Sequence, residues 1–243
     1  MQGKKKLFRT LGIIFFSTGI LVGMVMFILM NWAYFEATYY FGYNAHPEKT
    51  LTTLRCPLLM TTADQGAVTL SLTNSTDRDL PFLVSTEFSY FDAATLDRTT
   101  YPFKAGETRT LSWPVASDNI AFGHLILARV YVYSAYTLPS LGSTCGTGVV
   151  DLHRITGIEL FILVLAASLV GMAVGWGFWF AANRPLQADG IISRRAMSFF
   201  TALVVIGLVA GLIGWWGLGI ICAAGCLLLI ISVVGYYVQK ASQ

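Results

Sequence analysis

The amino-acid sequence predicts a multi-pass membrane protein in which four transmembrane helices carry one all-β sandwich domain outside the cytoplasm. Three observations support this fold class. Only 12% of the 243 residues are charged and 55% are hydrophobic, whereas a soluble domain has roughly 25% charged residues. The apolar residues form long blocks at both ends of the chain, and basic residues flank those blocks. The middle segment instead has the composition and alternation of β-strands.

The first predicted span, 8–31, follows a basic start at Lys4–Lys6 and Arg9. At 1.5 Å per residue it is long enough to cross a bilayer core of roughly 30 Å. A cleaved signal peptide also has a basic start, but its apolar stretch is shorter and a small-residue cleavage site follows. Here an aromatic cluster between Trp32 and Tyr43 follows, which is typical of a membrane–water interface. We therefore predict an uncleaved helix.

Three further spans are predicted in the C-terminal part, at 155–180, 197–214 and 218–238. The block from Met197 to Val238 has no charged residue, and as a single helix it would be about twice as long as the bilayer core is thick. Two helices joined at Gly214-Trp215-Trp216-Gly217 fit better. Glu159 is the only charged residue in the second span, close to its start.

The distribution of charge predicts the orientation of these spans. Basic residues are concentrated near the N-terminus, in the loop 181–197 and near the C-terminus, where only Asp189 opposes them. The positive-inside rule places those three regions in the cytoplasm and residues 35–152 outside, at the cell membrane. The predicted organisation is a tail and first helix (1–34), an extracytoplasmic domain (35–152) and helices two to four (153–243). The basic residues concerned are Lys4, Lys5, Lys6, Arg9, Arg184, Arg194, Arg195 and Lys240.

The middle segment predicts six or seven strands with turn signals between them. Residues 67–73 alternate with period two and end in a turn cluster, and residues 82–90 are rich in aromatic and β-branched side chains. A turn at 104–107 precedes a strand at 108–115. The longest run, 124–136, places Val130, Val132 and Ser134 on one face and Tyr131, Tyr133 and Ala135 on the other; shorter candidates lie at 51–60 and 97–102.

A strand that ends in Thr73-Asn74-Ser75, followed by Gly106-Glu107-Thr108 before Thr110-Leu111-Ser112-Trp113, resembles bacterial immunoglobulin- or fibronectin-type modules. This resemblance covers about 60–115 and implies an immunoglobulin-like sandwich, with no more specific family. Asn74-Ser75-Thr76 is also a formal glycosylation acceptor.

Cys56 and Cys145 lie near the two ends of the middle segment. In an oxidising compartment the simplest interpretation is a disulfide that closes the domain, the alternative being two unpaired small residues. Cys222 and Cys226 lie four residues apart in the last span and therefore on one helical face, where we interpret them as packing residues and not as metal ligands.

No residue pattern predicts catalysis, a cofactor or a metal site. His46, His124 and His153 are isolated, without a second His or Cys at ligand spacing. A copper site on an anchored sandwich would need Cys, two His and usually Met close together, and no His or Met follows Cys145 closely. Phosphate-binding loops, dinucleotide fingerprints and nucleophile elbows are missing from the sequence. We therefore expect a non-enzyme.

Small residues at four-residue spacing indicate close helix packing, either within the chain or with other subunits. Such pairs occur in each of the first three spans, and Gly219 and Ala223 form a similar pair in the fourth. The predicted helix-packing residues are Gly19, Gly23, Gly171, Gly175, Gly207 and Gly211.

Three functions remain open at this point. The first is a non-catalytic accessory or scaffold subunit of a larger membrane complex, with membrane lipids, other integral membrane subunits and an extracytoplasmic protein as partners and no role for nucleic acid. The second is a stand-alone adhesion or ligand-binding protein; the four-span layout resembles that of claudin-like proteins, although their first-loop Trp and paired Cys motif is missing. The third is a transporter or channel component, which the scarcity of charge in the spans disfavours.

Overall fold

A computed structural model of the chain describes residues 2–42, 47–90, 93–133, 138–184 and 188–241. The backbone forms two compact units: Met1–Asn31 together with Phe161–Gln243, and Trp32–Leu160. We name them the helical unit and the sheet unit. A short 3-10 helix, Ser117–Asn119, precedes β8. The other elements are α1 (Gln2–Tyr40), β1 (Lys49–Thr50), β2 (Leu54–Arg55), β3 (Leu59–Thr61), β4 (Gly66–Thr73), β5 (Leu80–Tyr90), β6 (Ala93–Phe103), β7 (Thr108–Val115), β8 (Ile120–Ala121), β9 (Leu125–Val132), β10 (Leu141–Val150), α2 (Gly157–Ala182), α3 (Ala188–Ile213) and α4 (Trp216–Ala241).

In the part of the chain that the structure describes, four helices are long and apolar enough to cross a membrane, as the sequence predicts. The break between α3 and α4 falls at Gly214, whose φ of 77° is left-handed and therefore suits glycine. Three helices, α1, α3 and α4, are longer than the predicted spans. Helix α1 continues to Tyr40, and α3 begins at Ala188 and so contains Arg194 and Arg195, because polar residues can end an apolar span without ending a helix.

The sheet unit contains two sheets. In the larger sheet the strand order is β1-β10-β9-β5-β6, with β3 also pairing with β10 and β8 with β9. Strands β1 and β3 run parallel to β10. The other ladders of the larger sheet are antiparallel. The smaller sheet has the order β2-β4-β7 and is antiparallel.

Both sheets contribute to one apolar core. Strand β4 buries alternate side chains, as period-two patterning requires, and β9 buries Val130 and Val132 on the face that the sequence predicts. Ser134 and Ala135, the continuation of that prediction, lie outside the described residues. The fully buried large side chains of the core include Val68, Leu70, Val84, Phe103, Val115, Ile126, Val130 and Val132.

Strand β10 is the principal element that sequence analysis missed. It pairs with β9 over eight residues, from Leu141 opposite Val132 to Gly148 opposite Leu125. Its sequence, Leu-Gly-Ser-Thr-Cys-Gly-Thr-Gly-Val-Val, contains three glycines, which lower the strand propensity that pattern analysis depends on. The segment around Cys145, for which the sequence predicts no strand, is therefore an internal strand of the larger sheet.

Candidate functional site

The surface of the larger sheet that faces away from the shared core presents an arginine and two tyrosines side by side. Directly paired residues of an antiparallel ladder point to the same face. Ser85 of β5 is opposite Arg98 of β6 on one side and opposite Tyr131 of β9 on the other. Tyr133 follows two residues later, and its backbone N–H donates to the Leu83 carbonyl over 3.0 Å. We call Leu83, Leu96, Arg98, Tyr131 and Tyr133 the arginine–tyrosine face.

Aromatic and cation–π contacts order this face. The rings of Tyr131 and Tyr133 meet edge to face with centroids 4.9 Å apart, and the Arg98 guanidinium lies 5.8 Å from the centroid of the Tyr133 ring. Both geometries are favourable for aromatic pairs and for arginine over a ring. Leu83 is 37% exposed and Leu96 is 54% exposed. An ordered Tyr–Arg cluster has the composition of protein–protein hot spots, and the two exposed leucines add apolar surface beside it.

The C-terminal turns of α1 cover a neighbouring part of the same sheet surface. Ala33, Ala37 and Phe41 pack against Leu125 and Leu127 of β9 in a buried apolar cluster. The i, i+4 spacing of Ala33, Ala37 and Phe41 puts them on one side of the helix, which explains why the helix continues beyond the predicted span. Aromatic residues that the sequence assigns to a membrane interface thus belong in part to the sheet unit.

One glycine permits this contact. A Cβ atom on Gly146 of β10 would overlap the backbone carbonyl of Ala33. The glycine therefore lets a helix backbone lie directly on the strand. The Thr38 and Thr144 hydroxyls, 3.1 Å apart, add a hydrogen bond across the same contact.

Arg129 joins β9, β5 and the end of α1. Its guanidinium forms an ion pair with Glu87, and Nη1 donates to the Phe41 carbonyl over 2.9 Å. The Arg129 and Glu87 side chains are 22% and 19% exposed, so the pair is partly desolvated and its loss would leave a poorly solvated charge. A cation at the carboxyl end of a helix also interacts favourably with the helix dipole.

Cys56 and Cys145 form a disulfide, with Cα atoms 5.9 Å apart. Cys56 directly follows β2 of the smaller sheet, and Cys145 lies in the middle of β10 of the larger sheet. The bond therefore links the two sheets across the core. Cys222 and Cys226 are buried free thiols in α4.

The predicted packing glycines lie at contacts between helices of this chain. A Cβ on Gly19 of α1 would lie 2.6 Å from the Met172 nitrogen, and one on Gly171 of α2 would lie 3.1 Å from the Gly19 Cα. The Ser168 hydroxyl donates to the Gly19 carbonyl over 2.9 Å. The remaining pairs are Gly23 with Ser168 and Val204, Gly175 with Phe16, Gly207 with the Phe27 ring, and Gly211 with Met30 and Asn31.

Sequence analysis missed a buried polar contact between helices of this bundle. Asn31 is 2% exposed, and its Nδ2 donates to the Phe27 carbonyl over 2.7 Å. A Cβ on Gly219 of α4 would lie within 2.5 Å of Asn31 Nδ2. A single asparagine directly before the aromatic cluster was the available signal, but the Gly207 carbonyl, to which Nδ2 also donates over 3.4 Å, is 176 positions further along the chain and no local pattern connects them.

The histidines do not converge on a site in the described residues. His124 Nδ1 contacts the Phe122 carbonyl at 2.5 Å, and His153 Nδ1 lies 3.6 Å from an Asp151 carboxylate oxygen at an exposed position. His46 lies outside the described residues. Within the described ranges, no group of three His, Cys, Asp or Glu side chains is arranged to hold a metal.

Other polar side chains noted in the sequence stabilise local structure. Asn74 is fully buried, and its Nδ2, the atom a glycan would occupy, donates to the Arg78 and Lys104 carbonyls over 2.9 Å each. Glu159 accepts from the Thr156 backbone N–H over 3.0 Å at the start of α2, as in a capping box.

The partly exposed carboxylate of Glu107 has a lowered pKa. The backbone N–H of Lys104 and the guanidinium of Arg109 donate to Glu107 over 2.7 and 2.8 Å, and these bonds lower its pKa, the backbone bond most. Glu107 closes the turn from β6 to β7, which connects the two sheets. The lowered pKa of Glu107 therefore results from the hydrogen bonds that close this turn.

Comparison of the chain with protein-family models and with curated protein sequences finds no match.

Proposed function

We propose that this chain is a non-catalytic accessory subunit of a membrane complex and that it binds an extracytoplasmic protein through the arginine–tyrosine face. In this proposal the four apolar helices cross the cell membrane, both termini and the loop 181–197 are cytoplasmic, and residues 35–152 form an immunoglobulin-like sandwich outside. The observation that supports it best is the ordered Arg98–Tyr133–Tyr131 cluster beside Leu83 and Leu96.

The chemistry of this face indicates the kind of partner. On the same face of the sheet, Glu87 is already paired with Arg129. No described carboxylate forms a salt bridge with Arg98, so Arg98 can form an ion pair with another protein. A partner with a carboxylate next to an apolar side chain would complement Arg98 and the two leucines. Tyrosines that are already packed lose little conformational entropy on binding, which favours recognition by contact.

The glycine contacts bear on whether the close-packing residues of the helices contact this chain or other subunits. Because the close-packing positions of α1 and α2 face each other within this chain, they support a self-contained bundle and leave other surfaces for neighbouring subunits. Many large apolar side chains of the helices are exposed, among them Leu21, Val25, Leu163, Val170, Ile221 and Ile231. Lipid and other integral membrane subunits are the partners proposed for these surfaces.

Orientation is tested by labelling single introduced cysteines with a membrane-impermeant maleimide. Asp77→Cys lies in an exposed turn of the sheet unit, and Arg184→Cys is exposed between α2 and α3. Background labelling should be low because two native cysteines are paired and two are buried. We expect label at position 77 and none at position 184 in intact cells. The opposite pattern would refute the proposed orientation.

The partner is tested by purification in mild detergent followed by mass spectrometry. A protein recovered in stoichiometric amount with the wild-type chain should be lost with Arg98→Glu and with Tyr133→Ala, about tenfold or more for a hot-spot residue. Lys49→Glu makes the same charge change at an exposed position elsewhere in the larger sheet and should have no effect. A chain that purifies alone, or a partner that Arg98→Glu retains, would contradict this proposal; a lone chain would favour stand-alone adhesion or ligand binding.

A further inference from the structure

The helical unit contains a groove of about 500 Å³ that all four helices line. Its floor is apolar and buried: Phe16, Trp179 and Met197 are 7%, 3% and 8% exposed. Its rim is exposed and includes Arg9 and Ile13 of α1. A volume of this size is in the range of ligand pockets, roughly 300–1,000 Å³.

The groove lies at the basic end of the helices. Its lining comes from the N-terminal part of α1, the C-terminal part of α2, the N-terminal part of α3 and the C-terminal part of α4. The segments 1–31 and 161–243 contain eight basic residues and one acidic residue, Asp189, a difference of seven charges. No carboxylate in the described residues forms a salt bridge with Arg9. An anion at this rim would therefore be favoured by charge.

The dimensions favour a lipid chain over a protein helix as the occupant. From Arg9 to Phe16 the groove follows α1 for roughly 10 Å at 1.5 Å per residue. A transmembrane helix needs a contact surface closer to the roughly 30 Å of the bilayer core. An acyl chain can follow a short apolar floor that opens at one end beside a cation. The exposed Arg9 on the rim then matches the position of a phosphate at the membrane surface.

We infer that the groove binds one anionic phospholipid, with its phosphate on Arg9 and one acyl chain along Phe16, Trp179, Met197 and Phe200. This inference rests on the membrane setting proposed above and does not depend on the arginine–tyrosine face. It differs from general attraction between Lys4–Lys6 and a charged membrane, because it requires a single site with an apolar floor.

Native mass spectrometry of the full chain in detergent tests the site, with phosphatidylglycerol and phosphatidylcholine of identical chains as probes. We expect one retained lipid and a preference for phosphatidylglycerol. Arg9→Gln should reduce that preference about tenfold, the value of a charge-assisted hydrogen bond. Ala196→Trp, which fills the groove, should abolish retention of both lipids. Ala173→Trp makes the same substitution at an exposed position of α2 that does not line the groove, and it should bind as the wild type does.

Two further measurements keep the test decisive if Ala196→Trp fails to fold. In the unmodified chain, phosphatidylglycerol with a photoreactive group in its acyl chain should label peptides that contain Phe16 or Phe200. Soluble glycerol phosphate, which lacks chains, should not displace the bound lipid. Labelling confined to other peptides, displacement by glycerol phosphate, or equal lipid binding by folded Ala196→Trp would each overturn the inference. The maleimide test of orientation uses none of these variants, so a failure of the membrane setting would be recognised separately.

Discussion

The helical unit and the sheet unit both use glycine to bring two backbones together, but these glycines lie in different sequence patterns. In the helical unit, Gly19 and Gly171 lie where α1 and α2 cross, at helical spacing from further glycines. In the sheet unit, Gly146 lies within strand β10 and allows the α1 backbone to lie on it. Regular spacing makes the first use visible in the sequence, whereas the second use resembles a loop.

The two units also differ in what holds them together. The helical unit depends on close packing and on a few polar contacts such as Ser168 with the Gly19 carbonyl. The sheet unit has continuous backbone ladders, a shared apolar core, a disulfide between the sheets and the Arg129–Glu87 ion pair. We therefore expect covalent and electrostatic changes to affect the sheet unit and added bulk to affect either unit.

The largest effect is expected from removing the disulfide. Replacing Cys56 and Cys145 together by Ala should destabilise the sheet unit by about 2–5 kcal/mol, because a long loop is no longer closed in the unfolded chain. Hydrogen–deuterium exchange should become faster in β2, β9 and β10 and stay unchanged in α3 and α4. Treating the wild type with a reductant provides the matched control. Equal acceleration in both units would contradict the assignment of the bond to one unit.

Local patterns predicted the helices and several strands because each signal lies in consecutive residues. The strands at 67–73, 82–90 and 108–115 correspond to β4, β5 and β7, and the break at Gly214 separates α3 from α4. The cysteine pairing was predictable because Cys56 and Cys145 were the cysteines outside the apolar blocks. Local patterns could not predict β10, because Gly146 within it is explained by a contact with Ala33 of α1, more than one hundred residues earlier in the chain.

The second-largest effect is expected at Gly146 and tests whether its contact with α1 requires a glycine. Gly146→Ala would place a methyl group against the Ala33 carbonyl, and we expect a loss of up to about 3 kcal/mol, as in overpacked cores. Gly142→Ala is the control on the same strand, because its Cβ would meet side-chain atoms of Pro47 and Tyr131 at 3.1 Å, which can shift. Apparent Tm by tryptophan fluorescence would compare the two. Equal Tm values would show that the helix is not held against Gly146.

The arginine–tyrosine face shows the same limit of prediction. The alternation of Tyr131 and Tyr133 with Val130 and Val132 was visible in the sequence, but the position of Arg98 beside them depends on the order β6-β5-β9. Strand order requires pairings that are distant in the chain. Sequence analysis therefore identified the tyrosines as one strand face without identifying a site.

The third effect is in the helical unit. Gly171→Leu should separate α1 from α2, because even a Cβ at this position lies 3.1 Å from the Gly19 Cα. We expect a loss of about 1–2 kcal/mol and a lower apparent Tm in detergent, with the Cys56–Cys145 bond still formed. Gly177→Leu, on the same helix, meets no atom within 4 Å and should be neutral. If both variants behaved alike, close backbone approach would not be what stabilises this pair of helices.

The smallest effect concerns Glu107, and its pH dependence distinguishes a charge effect from a packing effect. Because hydrogen bonds from Lys104 and Arg109 lower the pKa of Glu107 in the folded chain, its carboxylate stabilises the fold at pH values above its ordinary pKa of about 4.3. That stabilisation is lost as the pH falls through the lowered pKa. The Tm of Glu107→Gln should therefore be slightly below that of the wild type at pH 7, and the difference should disappear as the medium is acidified below pH 4. The Glu107 side chain is partly exposed, so the difference in Tm should also decrease with added salt. A Tm difference that is independent of pH and salt would mean that the glutamate acts through packing of the turn. Charge would then stabilise the sheet unit through the partly buried pair of Arg129 and Glu87 and not through this turn.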